Sequence, residues 1–202
     1  MTKNLRDEYA KLYETALVPT AAQLESVIRG HLHGLKRIDR IAARAKAVDR
    51  LLVKAAKTDE SGKPRYDNPL VQIQDLIGAR VVVYYKNDLE TIEEQLLKYL
   101  TAIEEKTLVP DSTWKFGYFG RHFIVRLPGD AVPKDVSLGE APKFFELQIK
   151  TLFQHAWSEA EHDLGYKPPE ELTEEQQRNL AYTSAQAWGA DEVFERLASA
   201  LL

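Results

Sequence analysis

Gln74-Asp75-Leu76-Ile77-Gly78-Ala79-Arg80-Val81-Val82-Val83-Tyr84-Tyr85 sets one carboxylate ahead of a short run that is apolar on both faces. That pattern predicts a buried central strand over Ala79 to Tyr85. Further on, Phe144-Phe145-Glu146-Leu147-Gln148-Ile149-Lys150-Thr151 alternates. Phe145, Leu147 and Ile149 fall on one face of a strand, and Phe144, Glu146 and Gln148 on the other. Glutamate is disfavoured inside strands, so Glu146 points to a role beyond packing. Two carboxylates on neighbouring strands can share a Mg²⁺ and activate a hydroxyl, while basic residues close by hold phosphates. The combination suits nucleotidyl or pyrophosphoryl transfer. Taken singly, Asp75 also reads as a turn residue and Glu146 as a solvent-facing edge position.

Bulk properties bound the partners. The chain has 202 residues, 44% hydrophobic, and a net charge of −4. An acidic chain does not bind polyanions by bulk electrostatics, so any phosphate site needs a local basic cluster. With no cysteine, disulfide and thiolate chemistry are excluded, and His and carboxylates remain as metal ligands. No apolar run is long enough to span a membrane and no signal peptide is evident, so no membrane partner and a cytoplasmic location are expected.

The expected architecture is α+β: a mixed sheet with N- and C-terminal helices. Residues 1–57 read as helical, with Pro19 separating two helices and Thr20 as a cap. Residues 58–70 read as loop. The catalytic core is expected over 70–167. It holds a helix capped by Asp88, strands over 101–109, 121–127 and 144–149, and a helix to Leu164; Trp157, Leu164 and Tyr166 look like core. A last helix over 173–202, with a possible break near Gly189, completes a single domain.

Basic residues cluster between Arg37 and Lys57. On a helix, Lys46, Arg50, Lys54 and Lys57 fall within about 80° of one another. If Arg44 and Lys46 both grip one triphosphate, however, the chain there must be extended, so that residues two apart share a side. The alanine-rich context argues for helix instead. In Lys115-Phe116-Gly117-Tyr118-Phe119-Gly120-Arg121-His122, the glycines beside aromatics suit a loop on which a flat base stacks. Core packing is the alternative for Phe116 and Phe119. His122 reads either as a phosphate or hydroxyl donor or as a structural histidine.

These segments, together with Gln154-His155-Ala156-Trp157 and Glu161-His162-Asp163-Leu164-Gly165-Tyr166-Lys167, resemble the synthetase domain of RelA/SpoT-type alarmone synthetases, which make (p)ppGpp. The chain most resembles small stand-alone members. The likeness covers about residues 35 to 167, and Ala190 to Arg196 is similar to their closing helix. The resemblance implies a nucleotidyltransferase-like fold of about five strands. The implied reaction transfers the β,γ-pyrophosphate of ATP to the 3′-hydroxyl of GDP or GTP. It assigns Asp75 to Mg²⁺ and Glu146 to the acceptor hydroxyl and the same metal. Arg44, Lys46, Lys54 and Arg80 fall to ATP. Lys115, Tyr118, His122, Gln148, Lys150 and His155 fall to the acceptor nucleotide, with Tyr118 stacking on guanine. A homotetramer is implied as well.

The chain departs from the family pattern on the acceptor side. The family loop reads Gly-Tyr-Arg/Gln-Ser-x-His, where this chain has Gly117-Tyr118-Phe119-Gly120-Arg121-His122. Lys150 stands where the family has arginine, a point charge in place of a planar fork. Arg50 replaces a serine of the ATP motif and Ala43 its leading glycine. Two other readings stay open: pyrophosphate transfer to a tRNA 3′ end or an adenine nucleotide, and a degenerate nucleotide-binding regulator.

Overall fold

Alternation along β5 (Phe144–Thr151) sorts its side chains between two environments. Phe145, Leu147 and Ile149 are buried, while Phe144, Glu146 and Gln148 keep part of their surface. The computed structural model describes residues 2–108, 116–117, 120–165 and 171–202. The other strands are β1 (Ile38–Ala45), β2 (Ile77–Val83), β3 (Ala102–Leu108) and β4 (Gly120–Arg126). They form a mixed five-stranded sheet in the order β1-β2-β5-β4-β3. The helices are α1 (Thr2–Leu12), α2 (Val18–His31), α3 (Val48–Ala55), α4 (Pro69–Gln72), α5 (Lys86–Leu97), α6 (Leu152–Gly165) and α7 (Glu174–Leu201). The expected α+β class and the five-strand mixed sheet are what the chain forms.

Register decides where the chemistry goes. β2 and β5 run parallel, with Gly78 opposite Glu146, Arg80 opposite Gln148 and Val82 opposite Lys150. β1 is antiparallel to β2, which sets Arg44 opposite Gly78. β4 is antiparallel to β5, which sets His122 opposite Gln148. Residues opposite one another share a face. One face therefore carries Arg44, Arg80, His122, Glu146, Gln148 and Lys150. The other carries Val81, Val83, Phe123, Leu147 and Ile149, which join Leu24 and Ile28 of α2 and Ile92 and Leu96 of α5 in the core.

The N-terminal part corrects the helical expectation for residues 1–57, because Ile38–Ala45 is the first strand of the sheet. The sheet therefore extends outside the core expected over 70–167. α2 protects the free edge of β1: Glu25 Oε2 accepts from Ala43 N at 3.1 Å, and Arg29 donates to Ile41 O at 3.1 Å. These side chains satisfy backbone groups that an edge strand leaves open. Pro19 does not separate two helices. A π-helical turn (Tyr13–Leu17) joins α1 to α2 without a gap. Its wider loop accommodates a residue that lacks an N–H and crowds the preceding turn. Thr20 is buried inside α2 and caps nothing.

Asp88 lies in the first turn of α5 but makes no cap. Its carboxylate, buried, takes Arg37 through three contacts of 2.7–3.1 Å. α7 passes Gly189 without a break and begins in a capping box at Thr173 and Gln176. Leu164 is 61% exposed and is not core; Trp157 is half-buried, and Tyr166 lies outside the described residues.

Arg37 holds a positive φ of 65°. Arg37→Gly removes a left-handed backbone cost of about 1 kcal/mol. It also strands a buried carboxylate, at about 3 kcal/mol, the low end for a broken pair because the arginine side is half-exposed. The lost ion pair outweighs the relieved backbone. Urea unfolding should show the variant destabilised by about 2 kcal/mol, and equal or greater stability would contradict the role of this pair.

Candidate active site

The chain turns from β1 into α3 at Lys46. Its N–H donates to Leu76 O at 2.8 Å, extending the β1–β2 pairing to the residue beside Asp75. The Lys46 ammonium then reaches Asp75 Oδ2 at 3.0 Å, and Lys54, further along α3, reaches the same oxygen at 2.8 Å. One carboxylate between two ammonium groups leaves a net positive charge, so the cluster attracts further anions. Arg44 is exposed on the same sheet face, as the extended chain between it and Lys46 requires. The helical stripe of Lys46, Arg50, Lys54 and Lys57 does not exist, since α3 starts at Val48.

Glu146 sits mid-face. Its Oε1 lies 3.0 Å from His122 Nδ1, and its Oε2 accepts from Gln148 at 2.7 Å. An ionised carboxylate only accepts, so Nδ1 carries the proton. Burial raises the Glu146 pKa. The hydrogen bond and charge of His122, the Gln148 bond and the Lys46 charge outweigh it and hold the carboxyl at about 2. Asp75, Glu146, His122 and Lys54 line one cavity of about 360 Å³, together with Arg65 and Lys106. That volume suits a small-molecule ligand.

A second cluster joins β2 and β5 to α6. Arg80 donates to His155 Nδ1 across 3.3 Å and pairs with Glu159 at 2.9 Å. Burial, then the Arg80 charge, lowers the His155 pKa. Lys150 is 4% exposed and donates to Ser158 Oγ at 3.2 Å. Burial first, and the Arg80 charge next, push its pKa down to about 8.

α7 packs at the C-terminal end of β5, where it meets the start of α6. Asp191 Oδ2 accepts from Thr151 Oγ1 at 2.7 Å, and Thr151 in turn accepts from Gln154 N at the start of α6. Ser184 donates to Gly117 O at 2.6 Å, and Trp188 packs its ring on Phe116. α7 thus braces the residues just before Tyr118. Lys115, Tyr118 and Phe119 themselves lie outside the described residues.

Asp75 and Glu146 are the carboxylates that could hold a divalent cation. Asp75 Oδ1 is buried with no hydrogen-bond partner, and it lines the same cavity as Glu146. Carboxylate oxygens are the donors that hard cations prefer. Among the described residues no group of three His, Asp or Glu residues could hold a metal, so the remaining positions would fall to water or phosphate oxygens, as is usual for Mg²⁺.

The structure brings Asp75, Lys46 and Lys54 together, joins Glu146 to His122 and Gln148, and joins Arg80 to His155 beside Lys150. Glu159, Ser158, Ser184 and Asp191 join these clusters without any sequence motif that marks them. Glu159 was within reach, four residues from His155 on a helix and so on the same side. Ser184 and Asp191 meet the site only through tertiary contact.

Over residues 43–171 the chain matches the family described as the region found in RelA/SpoT proteins. It is 27% identical over 197 residues to the GTP pyrophosphokinase YjbM of Bacillus subtilis (strain 168), covering 90% of this chain and 86% of that protein. In fold it is similar to small alarmone synthetase 1 from Bacillus subtilis bound to its product pppGpp, with a TM-score of 0.71 at 20% identity over 96% of this chain and 97% of that one. It is also similar to a GTP pyrophosphokinase family protein from Streptococcus pneumoniae, with a TM-score of 0.74 at 22% identity over 96% of this chain and 93% of that one. These structural likenesses concern the fold.

Lys150 opposes stability. With its pKa at about 8 in the fold against 10.5 ordinarily, it disfavours the folded state fully below pH 8. The penalty is relieved as pH rises from 8 towards 10.5, because the unfolded chain then binds more protons. Lys150→Met should stabilise the protein by about 2–3 kcal/mol at pH 7 and flatten the rise in stability between pH 8 and 10. Urea unfolding at pH 7 and 9.5 measures both; destabilisation at pH 7 would contradict it.

Proposed function

The chain belongs to the RelA/SpoT family, and on that premise we propose that it is a (p)ppGpp synthetase, transferring the β,γ-pyrophosphate of ATP to the 3′-hydroxyl of GDP or GTP. The observation that carries this reading is the convergence of two carboxylates, Asp75 and Glu146, with Lys54 and His122 on one cavity of the polar sheet face. The acceptor 3′-hydroxyl gives its proton up to solvent as its oxygen attacks the β-phosphorus, the bond between the β-phosphorus and the α,β-bridging oxygen breaks, and AMP leaves. Such a reaction asks a protein mainly for alignment and positive charge.

Arg44, Lys46, Lys54 and Arg80 are assigned to the triphosphate side. Phosphate oxygens entering between Lys46 and Lys54 would replace Asp75 Oδ2 as their partner, freeing the carboxylate. Asp75 and Glu146 would hold a divalent cation, Mg²⁺ in this proposal, which supplies neutralisation of charge on the phosphoryl oxygens. A carboxyl held near 2 is a poor base at neutral pH, so Glu146 acts chiefly by accepting the hydrogen bond of the 3′-hydroxyl and orienting it. His122, Gln148, Lys150 and His155, with Lys115 and Tyr118, are assigned to the acceptor nucleotide. We place the enzyme in the cytoplasm, where ATP and guanine nucleotides are held. No helix among the described residues is long and apolar enough to cross a membrane. For a homotetramer, the exposed Val193, Phe194 and Leu197 of α7 offer an apolar surface.

The test is label transfer. Protein with Mg²⁺ and ATP labelled in the β-phosphate is offered GMP, GDP, GTP, ADP or tRNA in separate reactions. Label should move to GDP or GTP, and Glu146→Gln should lower that rate at least about a hundredfold, the scale of losing one group that acts on the transition state. Label on tRNA or ADP would show a retargeted acceptor, and transfer to none would overturn the reading.

A further inference from the structure

The corner at Lys46 needs a device to hold it. The chain leaves β1 extended and enters α3 two residues later, through Ala45-Lys46-Ala47. No glycine or proline shapes this turn, and alanine favours continued helix. The Lys46 N–H is taken by Leu76 O. Its carbonyl stands outside α3, whose first accepting carbonyl is Ala47, bonded to Leu51 N. The partner comes from the far end of the chain. Tyr9, on α1 and 0% exposed, donates its hydroxyl to Lys46 O at 2.7 Å.

We propose that Tyr9 is a positioning residue of the ATP site: its hydroxyl fixes the main chain at Lys46 and so sets where that ammonium meets Asp75 and an incoming triphosphate. The inference rests on the assignment of Lys46 to ATP. Three bonds from two sides fix one residue: N–H to Leu76 and Nζ to Asp75, neighbours in the turn before β2, and C=O to Tyr9 on α1. Without the hydroxyl this part-buried carbonyl loses its protein partner, and the corner relaxes to recover one. A relaxation of about 1 Å at the main chain is enough to misplace a phosphate contact. The aromatic ring alone would be served as well by phenylalanine; the oxygen is what packing does not explain. Burial and the Asp75 charge raise the Tyr9 pKa, so the hydroxyl stays a donor at working pH.

The test compares Tyr9→Phe with Arg6→Ala. Arg6 pairs with Asp49 at 2.6 Å between the same two helices, α1 and α3, but in solvent. Steady-state transfer is measured with ATP and GDP varied in turn, alongside direct binding of an ATP analogue carrying a methylene between its α- and β-phosphorus. Tyr9→Phe should raise the KM for ATP and the Kd of the analogue about five- to tenfold, the equivalent of one hydrogen bond. The KM for GDP should stay at the wild-type value, and Arg6→Ala should match wild type throughout. Partial reversible unfolding would raise the apparent KM for ATP and for GDP by the same factor, and irreversible loss would lower apparent kcat alone, so a rise confined to ATP and its analogue separates positioning from unfolding. Wild-type values for both substrates and for the analogue in Tyr9→Phe would overturn the inference with the synthetase reading intact. A wild-type protein that neither transfers nor binds the analogue would sink that reading, and this inference with it.

Discussion

Everything on the polar face depends on the parallel pairing of β2 with β5, which sets Gly78 opposite Glu146 and Arg80 opposite Gln148. A slip of one residue in β5 would turn Glu146, Gln148 and Lys150 into the core and expose Phe145, Leu147 and Ile149. Those three are buried to within 1% exposure, so the apolar face locks the register and the polar face inherits it. β1 and β4 then add Arg44 and His122 from either side. Packing on one face of the sheet aligns the chemistry on the other.

The polar face is satisfied largely from within. Asp75 meets two lysines, Glu146 meets His122 and Gln148, and Arg80 meets Glu159 and His155. Such pairs keep buried or half-buried charges from standing uncompensated. They also leave specific groups that a ligand can complete: Asp75 Oδ1 and Gln148 Oε1 are buried without partners. Lys150 shows the same trade-off, a buried ammonium whose pKa burial and then the Arg80 charge push down to about 8.

Much of this was legible in the sequence. The two-residue alternation of β5 and the uniform apolar run of β2 marked the two central strands, and the position of Glu146 among hydrophobic neighbours singled it out. β1 was not legible. Ile38-Asp39-Arg40-Ile41-Ala42-Ala43-Arg44-Ala45 spaces its isoleucines three apart and is rich in alanine, so local propensity favours helix. What overrides it is remote: pairing with β2, and Glu25 and Arg29 of α2 on its outer edge. The requirement that Arg44 and Lys46 share a side demanded an extended chain there, and the strand meets it. Asp88 at the start of a helical pattern read as a cap because its partner, Arg37, lies 51 positions away. The bracing of Gly117 by Ser184 and of Thr151 by Asp191 is of the same kind, contacts between distant segments that no local pattern announces.

In the proposed reaction, ATP meets the polar sheet face at the Lys46–Asp75–Lys54 cluster. A crystal structure with Mg²⁺ and the methylene-bridged ATP analogue tests it most directly. The triphosphate should lie at the β1–β2 end of that face, with both lysine ammonium groups on phosphate oxygens and Asp75 turned to the metal. An analogue bound elsewhere, with Lys46 and Lys54 still closed on Asp75, would contradict it.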